Sequence, residues 1–196
     1  MIRLSKSRIM SSLQCLRRVW LEARRPELAQ YSSDARAAFT TGHAVGDIAV
    51  RLYDREGQGT YIDYRGGGFS RQLAQTEDLM TSMFRSPVFE ATLRHDGVLV
   101  REDVLLPVDT DEGPSWRIVE VKASTSVKDQ HVHDCAVQAW VHLGAGYPLS
   151  GIALAYVDNR FDYPGDQRYE GLLVEEDLTA QVLELLPSVP VWIANA

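Results

Sequence analysis

The sequence predicts an α/β protein with a mixed central β-sheet that is covered by helices on both faces. Helical periodicity dominates the first part of the chain, beginning with residues 5–24. Three successive strand-like segments follow, at residues 88–93, 98–106 and 117–123. A helix at 128–143 and a strand at 152–157 then complete a strand–helix–strand unit, which is typical of a sheet with parallel strands and covering helices.

The first part of the chain is predicted to contain three helices. In residues 5–24 Ser5 or Ser7 can cap the start, and Pro26 follows the end. The apolar residues of this helix recur at helical spacing and are Ile9, Leu13, Leu16 and Trp20. The other two helices span about 34–54 and 72–84. Between them, glycines bracket a short edge strand or hairpin at Thr60–Tyr64; they are Gly57, Gly59, Gly66, Gly67 and Gly68.

The second part of the chain is predicted to form the sheet. Turns at 95–97 and 109–114 separate the three strands. At the start of the helix that follows, Ser126 and Asp129 have the spacing of a capping box, and glycines follow its C-terminal end. If the strands on either side of this helix are parallel, the crossover should be right-handed. A last strand at 169–174 and a helix at 177–186 complete the prediction.

Length and composition limit the class of protein. The 196 residues suffice for one domain, which we divide into a helical part at 1–85 and a catalytic part at 86–196. No apolar run approaches the ~20 residues that cross a bilayer, and basic residues interrupt the N-terminus where a signal peptide would be apolar. With only two cysteines, Cys15 and Cys135, a disulfide framework is not expected. We therefore expect a cytoplasmic protein with no membrane partner.

Charge is unevenly distributed along the chain. The net charge is −7, but residues 1–25 hold seven basic side chains against one acidic, Glu22. The basic ones are Arg3, Lys6, Arg8, Arg17, Arg18, Arg24 and Arg25. A basic helix on an acidic protein can bind phosphates locally, so Arg17 and Arg18 are candidate nucleic-acid contacts. A solvated helix face is the alternative.

The most informative motif is Glu120-Val121-Lys122. Side chains alternate along a strand, so Glu120 and Lys122 project together from an otherwise apolar strand. Asp103 arrives from the preceding strand, where it interrupts an apolar row. The side chains of that strand are predicted to alternate strictly between its two faces. Val98, Val100, Val104 and Leu106 would lie on one face, and Leu99 and Leu105 would lie on the other face. A buried carboxylate and ammonium are costly unless they are paired or bound to something charged.

Two interpretations of this motif stay open. Two carboxylates and a backbone carbonyl suit Mg²⁺ or Mn²⁺, which lowers the pKa of a bound water, while Lys122 can balance charge that develops on a phosphate. That is nuclease chemistry. In the second interpretation Asp103 pairs with Lys122 or Arg101 in a metal-free structural domain.

The predicted helix at 128–143 carries a polar stripe. Its members are His131, Cys135, Gln138 and His142, at i, i+4, i+7 and i+11. The packed side is predicted to comprise Val132, Ala136, Ala139 and Leu143. Beside the Glu120 strand, the stripe could contact a phosphate backbone or a base. It could also bind zinc through His131, Cys135 and His142, or be a half-exposed helix face.

These motifs resemble those of RecB-like nucleases of the PD-(D/E)xK superfamily, which include the CRISPR-associated adaptation exonucleases. The matching residues are Asp103, Glu120-Val121-Lys122, and Gln138 with His142 four residues on. The stretches from Leu4 to Leu21 and from Glu120 to Lys128 also resemble an uncharacterised bacterial group that joins this domain to an iron–sulfur cluster. The resemblance covers nearly the whole chain and implies a restriction-endonuclease-like core.

The resemblance also implies roles for individual residues. Asp103 and Glu120 would be metal ligands, with the backbone carbonyl of Val121 as a third. Lys122 would be catalytic, and Gln138 would help to position the substrate. The catalytic set is then Asp103, Glu120, Lys122 and Gln138, and His142 joins the candidate nucleic-acid contacts.

The chain departs from the family pattern in an early helix. Many relatives have Gly-x-x-x-His there, but here Gly42 is followed at that spacing by Gly46, and His43 is out of register. The metal shell would then either have fewer protein ligands or be completed by Asp47 or Glu90. The alternative for Glu90 is an exposed strand carboxylate.

Further departures concern the later motifs and the cysteines. His142 replaces the tyrosine of the glutamine motif, and Glu102 replaces the proline before the aspartate. Relatives that bear a cluster have three late cysteines, whereas no cysteine follows Cys135. An iron–sulfur cluster is therefore not expected, because only Cys15 remains of the four cysteine ligands. The chain would then be either trimmed or a form of the protein without the cluster. Cys15 is instead expected to be a buried helix residue.

The sequence thus predicts a Mg²⁺- or Mn²⁺-dependent DNA nuclease, either an exonuclease or a single-strand-preferring enzyme. Its partners would be single-stranded DNA or duplex ends, and proteins of a DNA-processing or defence system. The alternative is a nucleic-acid-binding or scaffold module of the same fold with little or no cleavage.

Overall fold

The structure, a computed structural model, describes residues 4–30, 32–63 and 68–196. Its elements in chain order are β1 (Leu4–Ser5), α1 (Lys6–Gln14), α2 (Leu16–Arg24), α3 (Ser33–Tyr53), β2 (Thr60–Tyr61), α4 (Gly68–Met80), β3 (Val88–His95), β4 (Val98–Thr110), β5 (Gly113–Lys122), α5 (Asp129–Gly144), β6 (Leu149–Val157), β7 (Leu173–Asp177), α6 (Thr179–Leu185) and α7 (Val189–Ala194). Short 3₁₀ helices span Pro26–Leu28 and Leu186–Ser188. Four residues named above lie outside the described residues: Arg3, Tyr64, Gly66 and Gly67.

Seven strands of the described residues form one mixed sheet. Six follow the order β2-β3-β4-β5-β6-β7, and β1 pairs with β4. The predicted meander is present, since β4 is antiparallel to both β3 and β5. Strands β5 and β6 are parallel and are joined through α5. The predicted α/β class and the strand–helix–strand unit are therefore confirmed.

The pairing of β1 determines where the N-terminal helix begins. Strand β1 pairs in parallel with Val98 and Leu99 of β4, and β3 pairs with the same two residues from the opposite side. Because β5 pairs with β4 only from Val104 onward, β1 takes the edge that β5 leaves uncovered. Helix α1 starts directly after β1, and the Ser5 side chain caps it. Lys6, the first residue of α1, therefore lies beside the C-terminal end of β5.

Apolar side chains cover the sheet on both faces. The larger cluster lies between the sheet and α5, and α1, α4, α6 and α7 contribute to it through Ile9, Met80, Val182 and Val189. The smaller cluster lies under α3 and comprises Phe89, Val104, Val119 and Ala155, with Val50 and Tyr53 of α3 packed against it. Each fully buried aliphatic side chain contributes about 1.5–3 kcal/mol. Helices on both faces agree with the predicted architecture.

The first predicted helix is two helices, because Cys15 has extended backbone angles (φ −168°, ψ 118°) and separates α1 from α2. Ile9 is buried as predicted, and Val19 is the buried residue of α2. The other members of the predicted apolar stripe are exposed: Leu13, Leu16 and Trp20. Cys15 is also exposed, so the prediction that it is a buried helix residue is wrong.

Other boundaries differ by a few residues. Helix α4 ends at Met80, and Met83 and Phe84 beyond it are exposed. The N-cap of α5 is Lys128 rather than Ser126, and the last predicted strand lies at Leu173–Asp177. Within the described residues, no helix is both long enough and apolar enough to cross a membrane.

Candidate active site

Asp103 lies where β3 and β4 change the direction of their side chains. Pairing of the two strands continues at Val104 and at Glu102 on either side of it, so Glu90 lies opposite Asp103. Glu90 has a φ of 58°, a left-handed conformation that is uncommon outside glycine. Val100 belongs to the larger cluster but Val104 to the smaller one on the other face. The strict alternation predicted for 98–106 is therefore wrong, because the strand turns over near Asp103.

Glu120 is an almost fully buried acidic residue, with 1% of its surface exposed. Lys122 Nζ donates to its Oε1 at 2.5 Å, and Gln138 Nε2 donates to its Oε2 at 2.7 Å. A third donor is Lys6, whose Nζ lies 3.1 and 3.3 Å from the two oxygens. The carboxylate is thus satisfied by two ammonium groups and one amide, as a buried charge requires. The structure brings Glu120, Lys122 and Gln138 together.

Asp134 on α5 completes the ionic cluster. Its Oδ2 accepts a hydrogen bond from Lys122 Nζ at 2.8 Å, and Lys6 Nζ lies 3.3 Å from its Oδ1. Asp134 precedes Gln138 by one helical turn, so both side chains project from one face of α5 toward the end of β5. Lys6 and Lys122 each contact Glu120 and Asp134, and the four groups alternate in charge.

Asp103 is held by the backbone of the neighbouring strand. Its Oδ2 accepts a hydrogen bond from the Val121 N–H at 2.8 Å. The Val121 side chain packs against the smaller cluster on the opposite face from Glu120. Asp103 and Glu120 are therefore neighbouring carboxylates on adjacent strands, as the motif predicted. The role of the Val121 carbonyl stays a prediction.

The electrostatics of the site disfavour the ionised form of Asp103 and favour that of Glu120. Burial and the neighbouring Glu120 raise the pKa of Asp103 to about 8. Burial also acts to raise the pKa of Glu120, but Lys122 and Lys6 hold it well below its usual range. For both lysines, burial lowers the pKa less than the surrounding carboxylates raise it, so both ammonium groups are retained. The two ammonium groups therefore pair with the carboxylates of Glu120 and Asp134, and Asp103 and Glu90 are two further acidic side chains nearby.

This charge balance fits a divalent cation at Asp103 and Glu120. Mg²⁺ is commonly held by one or two carboxylates with waters filling the other positions. Burial, and after it the charge of Glu120, raises the pKa of Asp103, and a cation bound there would favour the ionised carboxylate. A cage made wholly of protein ligands does not fit, since no group of three or more His, Cys, Asp or Glu side chains in the described residues could hold a metal ion. The zinc alternative at His131, Cys135 and His142 gains no support for the same reason.

Glu90 is a half-buried neighbour of this site. Burial raises its pKa, and Glu120 acts in the same direction, whereas Arg101 lowers it. The guanidinium of Arg101 lies over the Phe69 ring at 5.7 Å. Glu90 is therefore half-buried rather than a fully exposed strand carboxylate. Among the described residues, no hydrogen bond joins its side chain to Asp103.

The polar stripe of α5 faces the protein interior rather than solvent. All four members are buried: His131, Cys135, Gln138 and His142. His142 has no exposed surface, and its Nδ1 donates to Glu102 Oε1 at 3.0 Å. The prediction that His142 contacts nucleic acid is therefore wrong for this conformation. Leu143, predicted on the packed side, is exposed instead.

The remaining candidates lie on the surface. Arg17 is exposed on α2, as is Arg18, whose Nε donates to Glu22 at 2.7 Å. His43 and Asp47 are exposed on α3. The charge of His43 acts to lower the pKa of Glu90, so this histidine is within electrostatic range of the site.

Sequence reasoning missed three residues of the site. Lys6 is separated from Glu120 by 114 positions, and the sequence carries no local signal of that contact. Asp134 could have been found, because it lies four residues before Gln138 on the same helical face. Glu102 was noted only as a departure from the family pattern, whereas it is fully buried against His142.

The chain shows a distant structural likeness to a solved structure. No protein-family model matches the chain, and no curated protein matches it. A solved structure described as "Crystal structure of SSO0001" is similar, with 14% sequence identity and a TM-score of 0.49. The match covers 97% of this chain and 77% of that one.

Proposed function

We propose that this chain is a divalent-metal-dependent DNA nuclease that hydrolyses phosphodiester bonds. The observation that carries the proposal is the meeting of Asp103, in the middle of β4, with Glu120 and Lys122 at the C-terminal end of the adjacent strand β5. Asp103 and Glu120 offer carboxylate oxygens of the kind that a divalent cation prefers, and the Lys122 ammonium group suits an anion. Hydrolysis of a phosphodiester needs both kinds of group in one place.

Each residue of the cluster has a defined task in this proposal. The chemistry supplied by a bound Mg²⁺ or Mn²⁺ is neutralisation of the phosphate and activation of the attacking water. Asp103 and Glu120 hold the cation, and Gln138 keeps the Glu120 carboxylate in a fixed orientation. Lys122, whose side chain is 28% exposed, presents a compact positive charge to the phosphate as negative charge develops.

Several finer statements belong to the same proposal. The motif resemblance supports a RecB-like nuclease with a restriction-endonuclease-like core, exonuclease or single-strand-preferring activity, and partner proteins of a DNA-processing or defence system. The low cysteine count supports a cytoplasmic location.

The direct test is release of nucleotides from end-labelled single-stranded and duplex DNA. We expect release with Mn²⁺ or Mg²⁺ and none after a chelator is added, because two carboxylates alone cannot activate water at a phosphate. Ca²⁺ at matched concentration controls for ionic strength. Cleavage that continues at full rate in the presence of chelator would contradict the proposal, and so would a complete lack of cleavage with either metal.

A second candidate function, nucleic-acid binding with little cleavage, is favoured by the exposed face of α2. Trp20 is 58% exposed and Leu16 is 62% exposed, and Arg17 lies within one helical turn of Trp20. Aromatic side chains that alternate with basic ones are typical of surfaces that bind single strands, since bases stack on the ring and phosphates pair with the cations.

Under this candidate, Arg17→Ala should weaken binding of single-stranded DNA more than Arg18→Ala. Arg18 is already bonded to Glu22 and Gln14, whereas Arg17 projects from α2 into solvent. We expect Arg17→Ala to reduce the slope of log affinity against log salt by about one phosphate contact. Fluorescence anisotropy over a salt series measures it, with Arg160→Ala as the matched exposed control. Equal slopes for wild type and Arg17→Ala would count against α2 as the binding face.

A further inference from the structure

Lys6 occupies a position at Glu120 that a divalent cation would need. We propose that Lys6 is a resident cation that competes with the divalent metal for Glu120, so that α1 controls metal loading of the site. This inference rests on the proposed metal-dependent function, and it assigns a role to a residue that lies outside the sequence motifs.

The contacts of Glu120 distinguish Lys6 from its other two partners. Lys122 and Gln138 each bind one oxygen, Oε1 and Oε2 respectively. Lys6 Nζ lies within 3.1 and 3.3 Å of both oxygens, as a cation chelated by a carboxylate does. A metal that binds both oxygens, or the lone pairs that face away from Lys122 and Gln138, must therefore displace Lys6.

Asp134 provides the place to which Lys6 can withdraw. Lys6 Nζ is 3.3 Å from Asp134 Oδ1, but this buried oxygen accepts no aligned hydrogen bond from the described residues. A small rotation of the flexible lysine side chain would convert this ion pair into a hydrogen bond. The ammonium group then keeps a carboxylate partner when it leaves Glu120, so the exchange does not strand a buried charge.

The composition of the chain supports a specific use of lysine here. The sequence contains seventeen arginines but only three lysines, Lys6, Lys122 and Lys128. Two of these three contact Glu120 and Asp134, and Lys128 is exposed. Positive charge on the surface is therefore supplied mainly by arginine, whereas the site uses lysine. The compact ammonium group of lysine can exchange with another cation more easily than a forked guanidinium.

Calorimetric titration with Mn²⁺ alone tests the inference on the full chain. We expect Lys6→Met to bind Mn²⁺ at least about tenfold more tightly than wild type, because a like charge a few ångströms away is removed. Lys6→Arg, which keeps the charge, should bind no more tightly than wild type, and Lys128→Met is the matched control. Equal or weaker binding by Lys6→Met, or no binding by any variant, would overturn the inference.

A second measurement needs no variant, so it does not depend on the folding of a mutant. Limited acetylation followed by mass spectrometry reports the reactivity of each of the three lysines. We expect Mn²⁺ to increase the labelling rate of Lys6 and to leave that of Lys128 unchanged. If Mn²⁺ binds but does not change Lys6 labelling, the competition is refuted.

Failure of this inference is distinguishable from failure of the proposed nuclease. Tighter Mn²⁺ binding by Lys6→Met, in a protein that cleaves no DNA, would sustain the inference and contradict the nuclease. Metal-dependent cleavage by wild type, with equal Mn²⁺ affinity in Lys6→Met, would overturn the inference and leave the nuclease standing.

Discussion

Lys122→Met is expected to lower metal-dependent DNA cleavage at least about a hundredfold, since loss of one charged group that stabilises a developing anion typically costs that much. Lys122 Nζ bridges Glu120 at 2.5 Å and Asp134 at 2.8 Å, so its ammonium group is held rigidly at the mouth of the site. Methionine keeps the unbranched stem of the side chain and removes the ammonium group, with its charge and its hydrogen-bond donors. The measurement is the rate of nucleotide release with saturating Mn²⁺.

The effect should come from chemistry rather than from unfolding. In Lys122→Met, Glu120 keeps Lys6 and Gln138 as donors, so the buried carboxylate stays paired. Circular dichroism should therefore show the wild-type helix content. Lys128→Met removes an exposed lysine six residues away and should cleave at the wild-type rate. Activity of Lys122→Met within about twofold of wild type would show that Lys122 has no role in cleavage.

Lys122→Arg separates charge from geometry. The guanidinium is planar and forked, and it cannot occupy the same point between Glu120 and Asp134. We expect Lys122→Arg to remain well below wild type although the net charge is unchanged. Full rescue by arginine would mean that only the local positive charge matters.

The sequence predicted the motif residues better than their surroundings, and the reason is physical. The period of two along a strand puts Glu120 and Lys122 on one face whatever the rest of the fold does. The same rule failed at Asp103, because Glu90 on the paired strand takes a left-handed φ of 58° and both strands turn over there. Local pattern cannot reveal such a turn when glycine is absent from it.

The helix and the N-terminus illustrate two further limits. Helical spacing predicted that His131, Cys135, Gln138 and His142 share a face, and they do. Spacing does not show that a helix is buried on two sides. Here the polar stripe is buried over Glu102 and Glu120, and Ala136 and Ala139 of the predicted packed side are buried as well. Lys6 reaches the site only because β1 joins the edge of β4 that β5 leaves uncovered, which is a long-range pairing of two residues.

His142→Leu is expected to destabilise the folded chain by about 3 kcal/mol, the upper end of the usual cost of leaving a buried hydrogen-bonding group without its partner. Glu102 and His142 are both 0% exposed and lie 3.0 Å apart, so the Glu102 carboxylate would lose its partner where water cannot replace it. The free energy of unfolding in urea measures this. The exposed pair Arg18–Glu22 is the matched control, and Glu22→Gln should change the stability very little.

A double-mutant cycle distinguishes the pair from simple loss of packing. If the cost of His142→Leu comes from the stranded carboxylate, then Glu102→Leu combined with His142→Leu should recover most of the stability, since apolar replacement of a buried pair is often nearly neutral. If it comes from a cavity, the double variant should be no more stable than His142→Leu.

Glu102 adjoins Asp103, and His142 lies one helical turn beyond Gln138. This pair is therefore placed to keep Asp103 and Glu120 at their working separation. If it does, a folded double variant should have a lower Mn²⁺ affinity than wild type even when its stability is unchanged.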